Sequence, residues 1–169
     1  MKYFLIISLL LPVGLLAQTH IVLGGGNAVQ KGGKLVVKNA NLTINGTFSA
    51  SNGTVEMTGT ATTTDSKLGG TGTSSFYDLE IDKNSNDAQL NGPISVANDL
   101  KLTKGKLALE GKNCTIASGG SISNPTVDKY IQTNGTGTLI QTVANSNITF
   151  PVGNANYNPI ILKNAGTSD

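Results

Sequence analysis

Short pairs of apolar residues, each pair separated by one intervening residue, recur along most of the chain. Between the pairs lie stretches rich in Gly, Asn, Thr and Lys. Because side chains alternate between the two faces of a strand, each pair supplies two side chains to one side of a short strand. Such strands bury little alone, so the pattern predicts a repetitive all-β structure built by stacking. The pairs are Leu42 and Ile44, Val55 and Met57, Leu79 and Ile81, Ile94 and Val96, Leu100 and Leu102, Leu107 and Leu109, and Ile148 and Phe150.

The spacing of these pairs predicts how the strands stack. Between residues 90 and 122 they follow one another at steps of about seven residues, so three strands make a turn of roughly 20 residues, a period typical of solenoids. After residue 17 no segment keeps the apolar spacing of a helix, and almost no helix is expected. We therefore predict a β-solenoid, with a β-sandwich repeat as the alternative. All the pairs from Leu42 to Leu109 except Ile94 and Val96 are predicted to point into one continuous core.

The N-terminus predicts export. Lys2 precedes an apolar run at residues 4 to 16, and Ala17 offers a small residue for cleavage before Gln18. That run is too short to cross a bilayer core of about 30 Å as a helix, and no second apolar stretch follows. We therefore interpret residues 1–17 as a signal peptide. The mature protein is expected to be secreted, extracellular or at the cell surface, and not an integral membrane protein.

The pattern changes after Pro125. Longer strand candidates lie between residues 130 and 162, and the chain then stops in a turn-like sequence with no closing strand. Residues 18–127 are accordingly predicted to form the solenoid, and residues 128–169 the start of a second, truncated β module. We expect downstream domains of the same polypeptide to be missing, and this last part of the chain to be less stable than the solenoid.

Composition narrows the function classes. The chain has 12 basic residues, all of them Lys, against 10 acidic residues, for a net charge of +2. This near balance gives no electrostatic basis for binding nucleic acid. Cys114 is the only cysteine, so no intramolecular disulfide can form. Its place in an alternating segment predicts a small buried side chain rather than a reactive thiol.

Three carboxylates on one strand are the strongest candidates for chemistry. Asp78, Glu80 and Asp82 alternate with apolar residues, so they share the outward face of the strand at intervals of about 7 Å. Such a row could hold two catalytic carboxylates or a metal ion. The alternative is a solvated face that discourages edge pairing. We favour the solvated face because neither Arg nor Trp accompanies the row.

Other catalytic and metal sites are not supported. His20 is the only histidine and lies beside the expected new N-terminus, which excludes a His/Asp/Ser triad or a His-based zinc site. The acidic run at residues 82–87 lacks the Gly of a calcium loop, and Pro93 stands where the bidentate Glu would be needed. We predict no catalytic, cofactor-binding or metal-binding residues, no cofactor and no enzymatic activity.

A family resemblance adds to this interpretation. The segment from Gly69-Gly70-Thr71 to the strand at residues 75–81, followed by Leu100-x-Leu102-x-x-Gly105-x-Leu107-x-Leu109, resembles the repeat region of large secreted adhesin-like proteins of Bacteroidetes-type bacteria. The later segment at residues 148–160 is similar to the module that follows those repeats. The resemblance implies a right-handed parallel β-helix and a structural or adhesive role at the cell surface. Glycans or other surface proteins are the expected partners. The alternative is a polysaccharide-binding module or a polysaccharide-degrading enzyme on the same fold.

Overall fold

The computed structural model describes residues 20–60, 66–84 and 87–166. Within these ranges the chain forms β-strands and no helix, which confirms the all-β prediction. The expected signal peptide, residues 1–17, lies outside the described residues. In chain order the strands are β1 (His20–Leu23), β2 (Asn27–Lys38), β3 (Asn41–Ile44), β4 (Thr47–Gly59), β5 (Ser66–Gly69), β6 (Thr73–Lys83), β7 (Ala88–Leu90), β8 (Ile94–Lys104), β9 (Leu107–Ala108), β10 (Cys114–Ile116), β11 (Ser121–Ser123), β12 (Ile131–Gln132), β13 (Leu139–Ile140), β14 (Ile148–Phe150), β15 (Val152–Gly153) and β16 (Ile160–Leu162).

Two parallel sheets run along the molecule and make a β-solenoid of about 6 turns. The first sheet joins short strands in the order β1, β3, β5, β7, β9, β12 and β15. The second joins β2, β4, β6, β8, β10 and β13, with β11 also paired to β8. Hydrogen bonds between turns join residues about 20 to 26 positions apart, which agrees with the turn length expected from the sequence. The solenoid prediction is therefore confirmed.

Each long strand of the second sheet contributes its two halves to two different faces of the solenoid. β8 pairs with β10 along Ile94–Val96 and with β11 further on, and a tight turn at Ala117 to Gly120 separates those two partners. The β2–β4, β4–β6 and β6–β8 pairs each contain a register shift near the same place. One turn therefore consists of a short strand followed by the two halves of a long strand.

The core is a column of apolar side chains inside these turns. Leu42, Ile44, Val55, Met57, Leu79, Ile81, Leu100, Leu102, Leu107 and Leu109 are all fully buried and belong to one cluster. This confirms the predicted continuous core. Each inward residue lies above its counterpart in the next turn, as Val55 does with Leu79 and Leu79 with Leu100. Burial of such columns supplies most of the stabilisation of a solenoid.

The C-terminal part combines continued stacking with a separate strand pair. β12 and β15 extend the first sheet and β13 extends the second. β14 and β16 instead pair with each other in an antiparallel two-stranded sheet, so Ile148 and Phe150 are only partly buried. The sequence pattern alone had grouped Ile148 and Phe150 with the alternating apolar pairs of the solenoid. Strand pairing does not decide a domain boundary, and the division after residue 127 stays a prediction.

We expect the β14–β16 pair to open before the central turns. Ile160, Ile161 and Leu162 are all exposed, and a two-stranded sheet is marginal in water, whereas the four leucines at 100, 102, 107 and 109 are fully buried in the core. In native-state hydrogen exchange, amides of Ile148, Phe150, Ile160 and Leu162 should exchange well before those of residues 100–109. Equal protection in the two regions would contradict this order of stability.

The structure also bears on membrane insertion. Within the described ranges, no helix has the length and apolar character needed to cross a membrane.

Candidate functional site

The outward side chains divide by charge between the faces of the solenoid. The second half of each long strand carries most of the charged groups, and we call the outer surface of this half the charged face. The first half of the long strands, with β10 and β13, carries none, and we call its outer surface the uncharged face. The charged face comprises residues 34–38, 54–59, 78–83 and 99–104 with β11; the uncharged face comprises residues 27–30, 47–50, 73–76 and 94–96 with β10 and β13.

Glu80 is the centre of an ion-pair network on the charged face. Alternation with the buried Leu79 and Ile81 turns its side chain outward, as the sequence predicted. The Lys34 ammonium lies 2.7 Å from a carboxylate oxygen of Glu56 and 3.0 Å from one of Glu80. Lys101 contacts the other Glu80 oxygen at 3.1 Å, and the Thr103 hydroxyl donates to that oxygen at 2.7 Å. The network therefore links β2, β4, β6 and β8, which are neighbours in the second sheet.

These contacts determine the charge state of Glu80. Partial burial raises the pKa of this carboxyl, but hydrogen bonds from Thr103, Lys34 and Lys101 outweigh burial and bring the pKa of Glu80 from 4.5 down to about 2. Hydrogen bonds to Glu56 and Glu80 in turn raise the pKa of Lys34. A general acid must hold a proton near the working pH. Glu80 is ionised near neutral pH and therefore does not fit the role of a general acid.

Stability should fall in acid because of Glu80. Its folded-state pKa lies below the unfolded value, so its contribution is complete above pH 4.5 and is lost as pH falls towards 2. We expect a loss on the order of 2 kcal/mol across this window, discounted for the exposure of both lysines. Urea unfolding of the wild type and of Glu80→Gln at several pH values measures it. The variant should show a shallower loss, and equal slopes would contradict the assignment.

The neighbouring carboxylates are also bonded to the next turn. Asn98 donates to Asp78 at 2.7 Å, and Lys104 lies 3.6 Å from Asp82. Asp99 accepts from the Ser121 and Ser123 hydroxyls at 2.9 and 2.6 Å. Asp78, Glu80 and Asp82 thus share one face as predicted, but each is engaged across the strand ladder. These contacts join the row to neighbouring turns, and with Glu80 only 9% exposed the face is less solvated than the sequence predicted.

A polar cleft lies where the charged face turns towards the next short strand. It has a volume of about 510 Å³, and its walls combine lysines, aspartates and hydroxyl groups. Asp87 lies in the wall and accepts the backbone N–H of Lys106 at 2.9 Å, which holds the turn in place. Among the described residues, no group of three or more His, Cys, Asp or Glu side chains could hold a metal ion. The lining residues are Lys83, Asn84, Asp87, Thr103, Lys104, Gly105, Thr126, Asp128 and Lys129.

The remaining singled-out residues do not join a site. His20 begins β1 and is exposed. Cys114 is fully buried on the inward side of β10, which confirms the structural interpretation, and this burial raises the pKa of the thiol to about 12. A thiol with so high a pKa is not a nucleophile near neutral pH.

Sequence reasoning missed two features of the outer surface. The pairing of Lys34 with Glu80 joins residues 46 positions apart across two turns of unequal length, and no local spacing predicts it. The uncharged face did have a sequence signal: Thr47-x-Ser49 and Thr73-x-Ser75 repeat the same phrase in adjacent turns. This repeat can be recognised from the sequence without the register.

Comparisons with known proteins do not place this chain in a family. No protein-family model, no curated protein and no solved structure matches it.

Proposed function

We propose that the chain is a secreted protein that acts at the cell surface as a structural or adhesive β-solenoid, without catalysis. The turns give it a rigid body whose faces repeat at the spacing of β-strands, about 4.8 Å. Repeated weak contacts along such a body add up to firm attachment, because each further contact forms at a high effective concentration. The export signal expected at residues 1–17 supports the extracellular location.

The proposal is supported by the charge state and the bonding of the outward carboxylates. Glycan-cleaving enzymes keep one carboxyl protonated and another ionised on either side of the scissile bond. Here Glu80 is held ionised between two lysines and a threonine, and Asp99 is bonded to two serines. These contacts join neighbouring turns, so they stabilise the stack.

The cleft favours a second candidate, a polysaccharide-binding module or polysaccharide-degrading enzyme. Its volume and its mixture of donors and acceptors suit a small number of sugar units. Asp87 and Asp128 are the carboxylates in its wall, and its lysines are Lys83, Lys104 and Lys129. A degrading enzyme would release sugar from this cleft, whereas a binding module would hold sugar there without releasing it.

We expect no hydrolase or lyase activity. Purified protein without residues 1–17 should release neither reducing sugars nor unsaturated products from a panel of neutral and acidic polysaccharides, because the carboxylates that converge on the charged face, Glu56 and Glu80, are ion-paired with lysines and Glu80 is held ionised. Release that Asp78→Asn or Asp82→Asn abolishes would place catalysis on that face. Release that only Asp87→Asn or Asp128→Asn abolishes would place it in the cleft. Either result would overturn the proposal.

A further inference from the structure

The uncharged face runs the length of the solenoid with no charged side chain pointing outward from it. Its central column passes from β2 to β13 through six paired strands, and five spacings of about 4.8 Å give a length of roughly 24 Å. Each neighbouring pair in the column is in direct register. The column consists of Val29, Ser49, Ser75, Ser95, Thr115 and Ile140.

The register shifts of the long strands leave this face regular. They fall between Gln30 and Lys34, after Ser49, after Phe76 and at Asp82, and so lie at the corner beyond the column or on the charged face. Asn27, Thr47 and Thr73 form a second aligned column beside the first. The face is therefore a regular sheet surface presenting two parallel columns.

The face is also amphiphilic. The Ser95 hydroxyl donates to that of Ser75 at 3.1 Å, and each hydroxyl keeps further capacity to donate or accept. Val29 and Ile140, at the two ends of the same column, are 56% and 46% exposed. Hydroxyl groups in the middle and apolar groups at the ends match a ligand that itself combines hydroxyls with C–H surface.

We propose that the uncharged face is the adhesive surface and that it binds neutral polysaccharide; this rests on the proposed function and names its partner. A charged group buried against a neutral sugar would lose its hydration without gaining an opposite charge. The uncharged face has no charged group that would pay this desolvation penalty. The nearest exposed cation on β2 is Lys31, two residues beyond Val29 at the edge of the face, so an acidic polymer finds no cation along the rest of the column. A repeating neutral chain meets the same hydroxyl pattern in successive turns, which suits multivalent attachment.

Two lysine substitutions in one turn test the assignment. Ser95→Lys places a charge at the centre of the uncharged face, and Gln89→Lys places the same charge on the outward side of β7 in the same turn. Both positions are partly exposed, so both variants should fold, which thermal unfolding verifies. Adsorption is measured on microcrystalline cellulose and insoluble mannan, with cross-linked polygalacturonate as the acidic comparison. The wild type and Gln89→Lys should adsorb to a neutral polymer, and Ser95→Lys about tenfold more weakly.

Each other result decides against one of the two claims. Adsorption to neutral polymer that both variants keep, adsorption to polygalacturonate alone, or a wild type that neither adsorbs to any polymer nor releases sugar would overturn the inference and leave the proposed function standing. A self-association that Ser95→Lys abolishes, without polysaccharide binding, would assign the face to a second copy of this chain and also overturn the inference. A wild type that adsorbs to no polymer but releases sugar would overturn the proposed function itself.

Discussion

Replacing Gly72 with Ala should lower the free energy of unfolding by about 3 kcal/mol, the upper range for overpacking. A Cβ atom at Gly72 would lie far inside van der Waals contact with the Gly46 carbonyl oxygen in the preceding turn. Gly46 in turn lies against the backbone of Gly24 and Gly26, and Gly92 lies against that of Gly70. The obstacle is backbone, which cannot move aside as a flexible side chain would. One corner of the solenoid is thus a stack of glycines in direct backbone contact.

Gly25→Ala is the matched control. No atom lies within 4 Å of a Cβ at Gly25, so this change should alter stability by less than about 0.5 kcal/mol. Urea unfolding followed by circular dichroism compares the two variants with the wild type. Equal stabilities of Gly72→Ala and Gly25→Ala would show that the turns are not in backbone contact at this corner.

Truncating Leu100 to Ala should cost about 3 kcal/mol. Leu100 is fully buried and is aligned with Leu79 in one turn and Ile122 in the next, so its removal leaves a cavity inside the core column. Neighbouring strands are fixed by ladder hydrogen bonds on both sides and can close that cavity only in part.

Ile161→Ala provides the comparison for this core position. Ile161 is 61% exposed on β16, so the same kind of truncation should cost less than about 0.5 kcal/mol. A Leu100→Ala protein as stable as Ile161→Ala would mean that Leu100 does not face a packed core. That result would count against the inward column on which the solenoid depends.

Alternation of apolar residues was enough to predict the fold. Pairs such as Leu79 and Ile81 indicate which side chains point inward, and Gly and Asn between them indicate where the chain turns. Ile148 and Phe150 show the same alternation yet lie in the antiparallel β14–β16 pair. Local pattern specifies which side of a strand is apolar, but it does not specify the partner strand.

The outer surface was less predictable because it depends on register. Asp78, Glu80 and Asp82 were correctly placed on one face from their spacing alone. Their partners come from other turns: Asn98 for Asp78, and Lys34 with Lys101 for Glu80. Turns differ in length, and β6 pairs with β8 through two register shifts. A one-residue error in register would assign different partners to each carboxylate.

Retention under flow tests the central claim most directly, namely that this protein attaches to surfaces and does not cut them. Beads coated with protein lacking residues 1–17 are settled on a surface of neutral polysaccharide, and the flow rate is raised while the effluent is assayed for soluble sugar. The account predicts that coated beads stay attached at flow rates that remove beads coated with Ser95→Lys protein, and that no sugar appears in the effluent. Coated beads that detach as readily as bare ones, or sugar release that accompanies attachment, would contradict it.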